Sequence, residues 1–506
     1  MLDTYFKIDA ALKNEIKTDD PKTPKALVKM KLLYDSCVKP VDPNAVQQLQ
    51  KVREAINELG GWPTATPSWS RDQVNNLWAY AGQLLTEYNH NAFFLTSTMP
   101  IDGKILLVHA ARQDMLETAF PQTDEQLNGA RHALVQLYKD YVTRDLNPPK
   151  SDQPMPCAYQ QLIKFPMATS YLFAQGGRLP RSDIHLLHGM VQALLQAWRG
   201  MLRGVNWLTD DAKASALDKI ANMAQVIGYP DWIFEEGKLD AYYEKLDIEE
   251  GDDDFTIANK VNRWSVSTGE LSKIGQPVNR YVFVKSAANV DAGAWQVIVD
   301  GYYPWMNSIS VPASIMRVPY FWPDYPLSVN FGKIGTLVGH ELGHAFDTIG
   351  VFYDSTGTYL NTTWMDETSR TGFDRMTDCV SQQYDQYCLP WNDTECLNGT
   401  LTVGENVADI GGLEAAYRAF KGMEQLSGAD HRLPGELAKF NHDQLFFISY
   451  ANAWCHASHD ANLELTHSPE YFRVIGPLQN SQKFAKAFKC KTGTFMVPEK
   501  QCKVWT

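Results

Sequence analysis

The sequence predicts a mainly helical α+β protein with a small β-sheet and more than one domain. Three observations lead there. A chain of 506 residues is too long for one hydrophobic core. Helical periodicity dominates the first 260 residues, and a β-rich stretch lies between about 280 and 315 before helical patterns return near 333.

The segments 71–89, 124–142 and 181–205 carry apolar residues at helical spacing. The stretch 207–230 offers Thr209 as an N-cap and two acids in the first turn, and it stops at a Gly-Tyr-Pro breaker. The proline-rich "RDLNPPKSDQPMPC" (144–157) reads as loop. The acidic "EEGDDDF" (249–255) marks a candidate domain edge. Beyond it "RYVFVK" (280–285), "AWQVIVDGYY" (294–303) and "NSISVPASI" (307–315) read as strands.

Hydrophobic residues make up 44% of the chain, enough for a packed core. No apolar run is long enough to cross a membrane, and the first twenty residues lack the apolar centre of a secretory leader. A net charge of −13 argues against nucleic acid as a partner. The eight cysteines form no CxxC pair, and six of them lie beyond residue 375. Among these are three glycosylation sequons, at Asn361, Asn392 and Asn398. Clustered sequons beside cysteines suited to disulfides indicate the secretory pathway.

The chemistry concentrates in "GTLVGHELGHAFDTIG" (335–350). Residues four apart share a helix face, so His340 and His344 can address one metal ion. Glu341 is one step around and can reach a water on that metal as general base. Taken alone, the pattern also fits a solvated helix with two histidines. The apolar Leu337, Val338 and Phe346 argue for a buried helix whose polar groups need partners. Glycines at 335, 339 and 343 cost helix stability and imply close packing. A catalytic zinc needs a third protein ligand. The helical stretch 402–420 supplies a candidate: Glu405 and Asp409 lie four apart, so one can bind metal while the other orients a ligating imidazole. An acidic pair at a helix N-terminus is the plainer alternative.

"VGHELGHAFD" followed by "GENVADIGGL" resembles the neprilysin, or M13, family of zinc metallopeptidases, which includes the endothelin-converting enzymes. "YDSC" (34–37), "IGYP" (227–230), "ANAWC" (451–455), 467–490 and "CKVW" (502–505) extend the resemblance over nearly the whole chain. It implies a thermolysin-like zincin domain at 261–506, a helical cap at 45–260 enclosing a substrate chamber, and an N-terminal segment, 1–44, on the catalytic domain. It implies one Zn2+ per chain held by His340, His344 and Glu405, with Glu341 as base, Asp409 orienting His340, and Asp347 in a similar supporting role. His467 would stabilise the oxyanion, and Arg473 would hold a substrate carbonyl. Leu337 and Trp454 would line an apolar pocket favouring cleavage before large hydrophobic residues of oligopeptides. A plain surface pair is the alternative for His467 and Arg473. The resemblance also implies disulfides Cys37–Cys157 and Cys379–Cys502. Cys388 and Cys396 pair by proximity alone. An extracellular location follows, either secreted or as the ectodomain of a type II membrane protein.

Three departures stand out. Asp300 falls where the family has a substrate-anchoring asparagine, and a carboxylate only accepts hydrogen bonds. The sequence starts after the family's cysteine-rich segment, where the resemblance places the partners of Cys455 and Cys490, so these two pair with each other, stay free or mark a truncated sequence. Cys37 and Cys157 are closer in sequence than their counterparts, so the cap is reduced. Two readings follow: a working zinc endopeptidase, or a catalytically impaired, zinc-stabilised peptide-binding protein. A fragment that does not fold alone is a third.

Overall fold

The computed structural model describes residues 2–38, 54, 94–101, 104–111, 157–158, 160–161, 164–175, 180–270, 274–281, 301–427, 433–455, 463 and 465–506. The helices expected at 71–89 and 124–142, the proline-rich loop, most of 280–285 and Asp300 lie outside these residues.

Helices α1 (Leu2–Asn14) and α2 (Lys25–Val38) open the chain. A two-stranded antiparallel hairpin follows, β1 (Phe94–Ile101) and β2 (Lys104–Ala111). Among the described residues this hairpin is an unexpected strand pair within a first half that is otherwise mostly helical, as predicted. Its signal was an Asp-Gly pair between two apolar, β-branched runs, a strong short-range hairpin cue. Helix α3 (Pro166–Ala174) leads to α4 (Arg181–Gly204), which matches the periodicity expected at 181–205.

Helix α5 (Asp210–Ala221) starts as predicted: the Thr209 side chain accepts from the Ala212 N–H. It ends well before the Gly-Tyr-Pro breaker. Residues Ala224–Gly228 leave the helix and form β3, whose alternate residues are buried. The 207–230 reading is therefore corrected to helix plus strand. Two-residue burial periodicity on a parallel partner wins over helical propensity there. The short α6 (Lys238–Tyr242) and α7 (Asp254–Trp264) follow. Asp253 caps α7 by accepting from the Thr256 N–H, so the acidic run works as a helix start. Helix α7 runs across position 260.

Strands β4 (Gly301–Tyr303) and β5 (Ser308–Pro312) join β3 in a three-stranded sheet of order β3-β5-β4. β3 runs parallel to β5, with Ala224 beside Ser308. β4 is antiparallel, with Tyr302 beside Ile309. Among the described strands β4 is therefore an edge.

The helical path resumes at α8 (Leu327–Asn330), passes through a wide π-type turn at Phe331–Gly335, and continues as α9 (Thr336–Gly343). Asn330 ties its start by exchanging hydrogen bonds with the Trp322 backbone. Next come α10 (Glu367–Tyr384), the hairpin β6 (Cys388–Leu389) and β7 (Asn392–Cys396), α11 (Gly399–Ser427), α12 (His442–Ala453), α13 (Glu470–Gln479) and α14 (Gln482–Phe488).

The centre of the fold is the junction of α4, α9 and α11. Gly339 and Gly412 let α9 and α11 touch backbone to backbone: a Cβ on Gly412 would sit 2.4 Å from the backbone nitrogen of His340. The fully buried Trp198 of α4 closes the junction, donating its indole N–H to the Gly339 carbonyl at 3.2 Å and packing on Phe346. Disulfides join Cys37 to Cys157, Cys379 to Cys502 and Cys388 to Cys396, while Cys455 and Cys490 are free thiols.

Candidate metal centre

Helix α9 and its short 3-10 extension present His340 and His344 on one face. Helix α11 brings Glu405 up against them. The Nε2 atoms of the two histidines are 2.9 Å apart, and Glu405 Oε2 lies 3.3 Å from the first and 3.4 Å from the second. Ligands held at about 2.0–2.1 Å by a tetrahedral ion sit roughly 3.3 Å from one another, so this spacing fits a small divalent cation. Glu405 Oε2 is buried and makes no well-directed hydrogen bond, although three imidazole nitrogens lie 3.0, 3.3 and 3.4 Å from it. A buried carboxylate oxygen without a donor is costly unless a cation meets it. Two imidazoles and one carboxylate suit zinc.

The far side of each imidazole is fixed. Asp409, one helical turn beyond Glu405, lies 2.7 Å from His340 Nδ1. Arg473 grips the same carboxylate with two hydrogen bonds of 2.8 and 2.7 Å. Asp347 lies 2.6 Å from His344 Nδ1, and its other oxygen accepts from the Ile349 and Gly350 N–H groups at 2.8 and 2.5 Å. Both imidazoles therefore aim Nε2 at Glu405.

The charges are strongly coupled. Burial pushes the Asp409 carboxyl up, but Arg473 and His340 outweigh it and hold it at about 2. Burial also raises Glu405, and His340, His344 and His467 bring it well below the usual carboxylate range. Burial disfavours the charged form of His340, yet Asp409 raises its pKa to about 9. Metal binding at this site would therefore release protons.

Glu341 points into the same space, with Oε1 4.0 Å from His340 Nε2. Its Oε2 accepts from the backbone N–H of Tyr302 on the edge strand at 2.8 Å. His467 Nε2 is 3.0 Å from Glu405 Oε2, and its side chain is half exposed. Arg473 is buried, with its guanidinium 4.0 Å above the Trp454 ring. Leu337 and Trp454 are both partly buried on the rim of the core. Thus His340, His344, Glu405, Glu341, Asp409, Asp347, His467, Arg473 and Trp454 converge.

Sequence reasoning missed Asn406 and Ser468. Both are buried, and Ser468 donates to Asn406 at 2.8 Å, tying the residue after His467 to the residue after Glu405. An asparagine inside the buried run "ENVADIGG" was the available signal.

Two models described as Peptidase family M13 match the chain, over residues 300–504 and 135–230. It is 36% identical over 354 residues to Neprilysin-11 of Caenorhabditis elegans, covering 69% of this chain and 40% of that protein. It is 33% identical over 353 residues to Endothelin-converting enzyme 1 of Homo sapiens, covering 67% of this chain and 42% of that protein. The chain thus spans less than half the length of these curated relatives. Solved structures share the fold. A Haemonchus galactose containing glycoprotein complex superposes with a TM-score of 0.75 at 22% identity, over 100% of this chain and 92% of that one. The Mycobacterium tuberculosis zinc metalloprotease ZMP1 gives 0.64 at 22% identity, over 100% and 74%. The mainly helical fold with its small sheet, and the HExxH and GENVAD helices meeting at one point, are accounted for together: the chain belongs to peptidase family M13.

Proposed function

We propose that the chain is a zinc-dependent endopeptidase that hydrolyses extracellular oligopeptides on the amino side of large hydrophobic residues. The observation behind this reading is the meeting of His340 Nε2, His344 Nε2 and Glu405 Oε2 at one point, with Glu341 facing that point. His340, His344 and Glu405 would hold a zinc ion there, and it would supply Lewis acidity. Glu341 takes the proton of the attacking water and delivers it to the departing amine. His467 donates to the oxygen that gains charge as the carbonyl is attacked. Asp409 and Asp347 hold the imidazoles. Arg473, anchored by Asp409, offers its guanidinium to a substrate carbonyl, and Leu337 and Trp454 line the pocket for the hydrophobic side chain. Asp300 meets the substrate backbone, which aligns along β4 as an added strand.

Three disulfides and three sequons support an oxidising, extracellular setting. Among the described residues no helix is long and apolar enough to cross a membrane. The expected division is a catalytic domain at 261–506, a reduced cap at 45–260 and an N-terminal segment at 1–44 on the catalytic domain. The contacts favour moving the catalytic boundary earlier, since Ala26 and Lys29 bind α2 to Asp240 and Tyr243. α4 and β3 add to the catalytic wall.

The test is cleavage of a quenched fluorescent peptide with a bulky hydrophobic residue at P1′, with and without a chelator, beside Glu341→Gln. The expected outcome is turnover that the chelator abolishes and that Glu341→Gln lowers by about 10³-fold with zinc retained. A folded, zinc-loaded chain that binds the peptide without cutting it would instead establish the peptide-binding alternative, which the carboxylate at Asp300 favours.

A further inference from the structure

Lys219, in the last turn of α5, is fully buried, and no step proposed above uses it. Its ammonium donates to two backbone carbonyls, those of Gly350 and Tyr353. Gly350 is also a residue whose N–H holds Asp347, and Asp347 in turn holds His344. A continuous path therefore runs from Lys219 through the backbone of Gly350 and the Asp347 carboxylate to a histidine of the metal centre.

A second branch leaves the same residue. The side-chain amide of Asn307, fully buried between β4 and β5, donates to the carbonyls of Lys219 and Ser355 at 2.8 and 2.9 Å. Its oxygen accepts from the Tyr302 hydroxyl at 3.0 Å. The backbone N–H of Tyr302 is the donor to Glu341. Asn307 takes a left-handed backbone, φ 41°, a conformation asparagine tolerates better than most residues. One buried frame thus meets the turn that carries Asp347 and the strand that holds Glu341. Burying a lysine is expensive. An apolar side chain would fill the space without that cost but would leave the turn's carbonyls without donors.

We propose that Lys219 is a positioning residue of the metal centre, acting on His344 through the Gly350 turn and Asp347. This rests on the zinc-peptidase reading above and deepens it. The groups at the centre then depend on a residue from α5, outside both motif helices. Lys219 touches neither metal nor substrate, so its effect must pass through Asp347.

The test is a double-mutant cycle of Lys219→Met and Asp347→Asn, read by zinc affinity in chelator competition and by the absorption spectrum of the cobalt-substituted protein. Thermal unfolding establishes that each variant folds. Asp347→Asn alone should weaken zinc binding by about 10- to 100-fold, as expected when a ligand's orienting partner is lost. Lys219→Met alone should weaken it about tenfold and shift the cobalt spectrum. The double variant should bind zinc no more weakly than Asp347→Asn. A purely structural lysine predicts losses that multiply, and that outcome overturns the proposal. So does a folded Lys219→Met chain with parental zinc affinity. If Lys219→Met does not fold, Lys219→Gln replaces it in the same cycle. Its shorter side chain still donates, so a smaller loss of zinc affinity than for a non-donor is expected, and losses that multiply with those of Asp347→Asn overturn the proposal. A parental chain that binds no zinc would sink the zinc-peptidase reading itself, whereas parental binding with multiplying losses sinks only the role of Lys219.

Discussion

The two sides of the metal centre are built differently. Behind the imidazoles the two carboxylates are held: Asp409 is gripped twice by Arg473 and faces His340, and Asp347 receives two backbone N–H groups and faces His344. In front, Glu405 Oε2 makes no well-directed hydrogen bond, His467 is half exposed, and Oε1 of Glu341 stands 4.0 Å from the nearest imidazole nitrogen. The rear is buried and its carboxylates are held, so it fixes direction. The front keeps unspent bonding capacity where a cation and a substrate would arrive. Preorganised groups act at no reorganisation cost only if such a rear holds them.

The largest effect should come from breaking the rear. Asp409→Ala leaves the Arg473 guanidinium buried without its partner, at a cost of about 3–5 kcal/mol of folding stability. Chemical denaturation of the zinc-free chain measures it. A loss below about 1 kcal/mol would show that water reaches Arg473 and that the rear is not closed.

A change at the front should leave the fold alone. His467→Phe should keep the melting temperature and zinc content while lowering kcat by about 10²–10³-fold. Steady-state kinetics beside zinc analysis decides the point. Lost zinc would mean that His467 belongs to the ligand-holding side.

The smallest effect tests the seam between the helices. Gly412→Ala places a methyl group 2.4 Å from the backbone nitrogen of His340, so α9 and α11 must separate. Overpacking of this kind costs about 1–3 kcal/mol. Zinc affinity should fall with stability, because His340 and Glu405 sit on opposite helices. Unchanged affinity alongside lost stability would show that the seam and the ligand positions are uncoupled.

Much of this was legible in local sequence. The four-residue spacing of His340 and His344 reads directly as a shared helix face, and the glycines at 339 and 343 announce close packing. Thr209 reads as a helix start, and the structure uses it as one. The β1–β2 hairpin was signalled by its Asp-Gly pair but overlooked beside the helical patterns around it. β3 was harder, because "AQVIG" becomes a strand only on meeting β5, more than eighty residues later in the chain.

The sequence by itself determined which chemistry the chain carries. Two histidines, a glutamate and a second acidic helix are local patterns, and their periodicity places each group on a face. Tertiary structure alone decided the company they keep. The convergence on Glu405 Oε2, the grip of Arg473 on Asp409, the Tyr302 N–H on Glu341 and the buried Lys219 all join residues far apart in sequence. Helical and strand periods report which way a side chain faces along its own element. They carry no information about what the next element will place opposite it, and that meeting is set by the packing of the whole core.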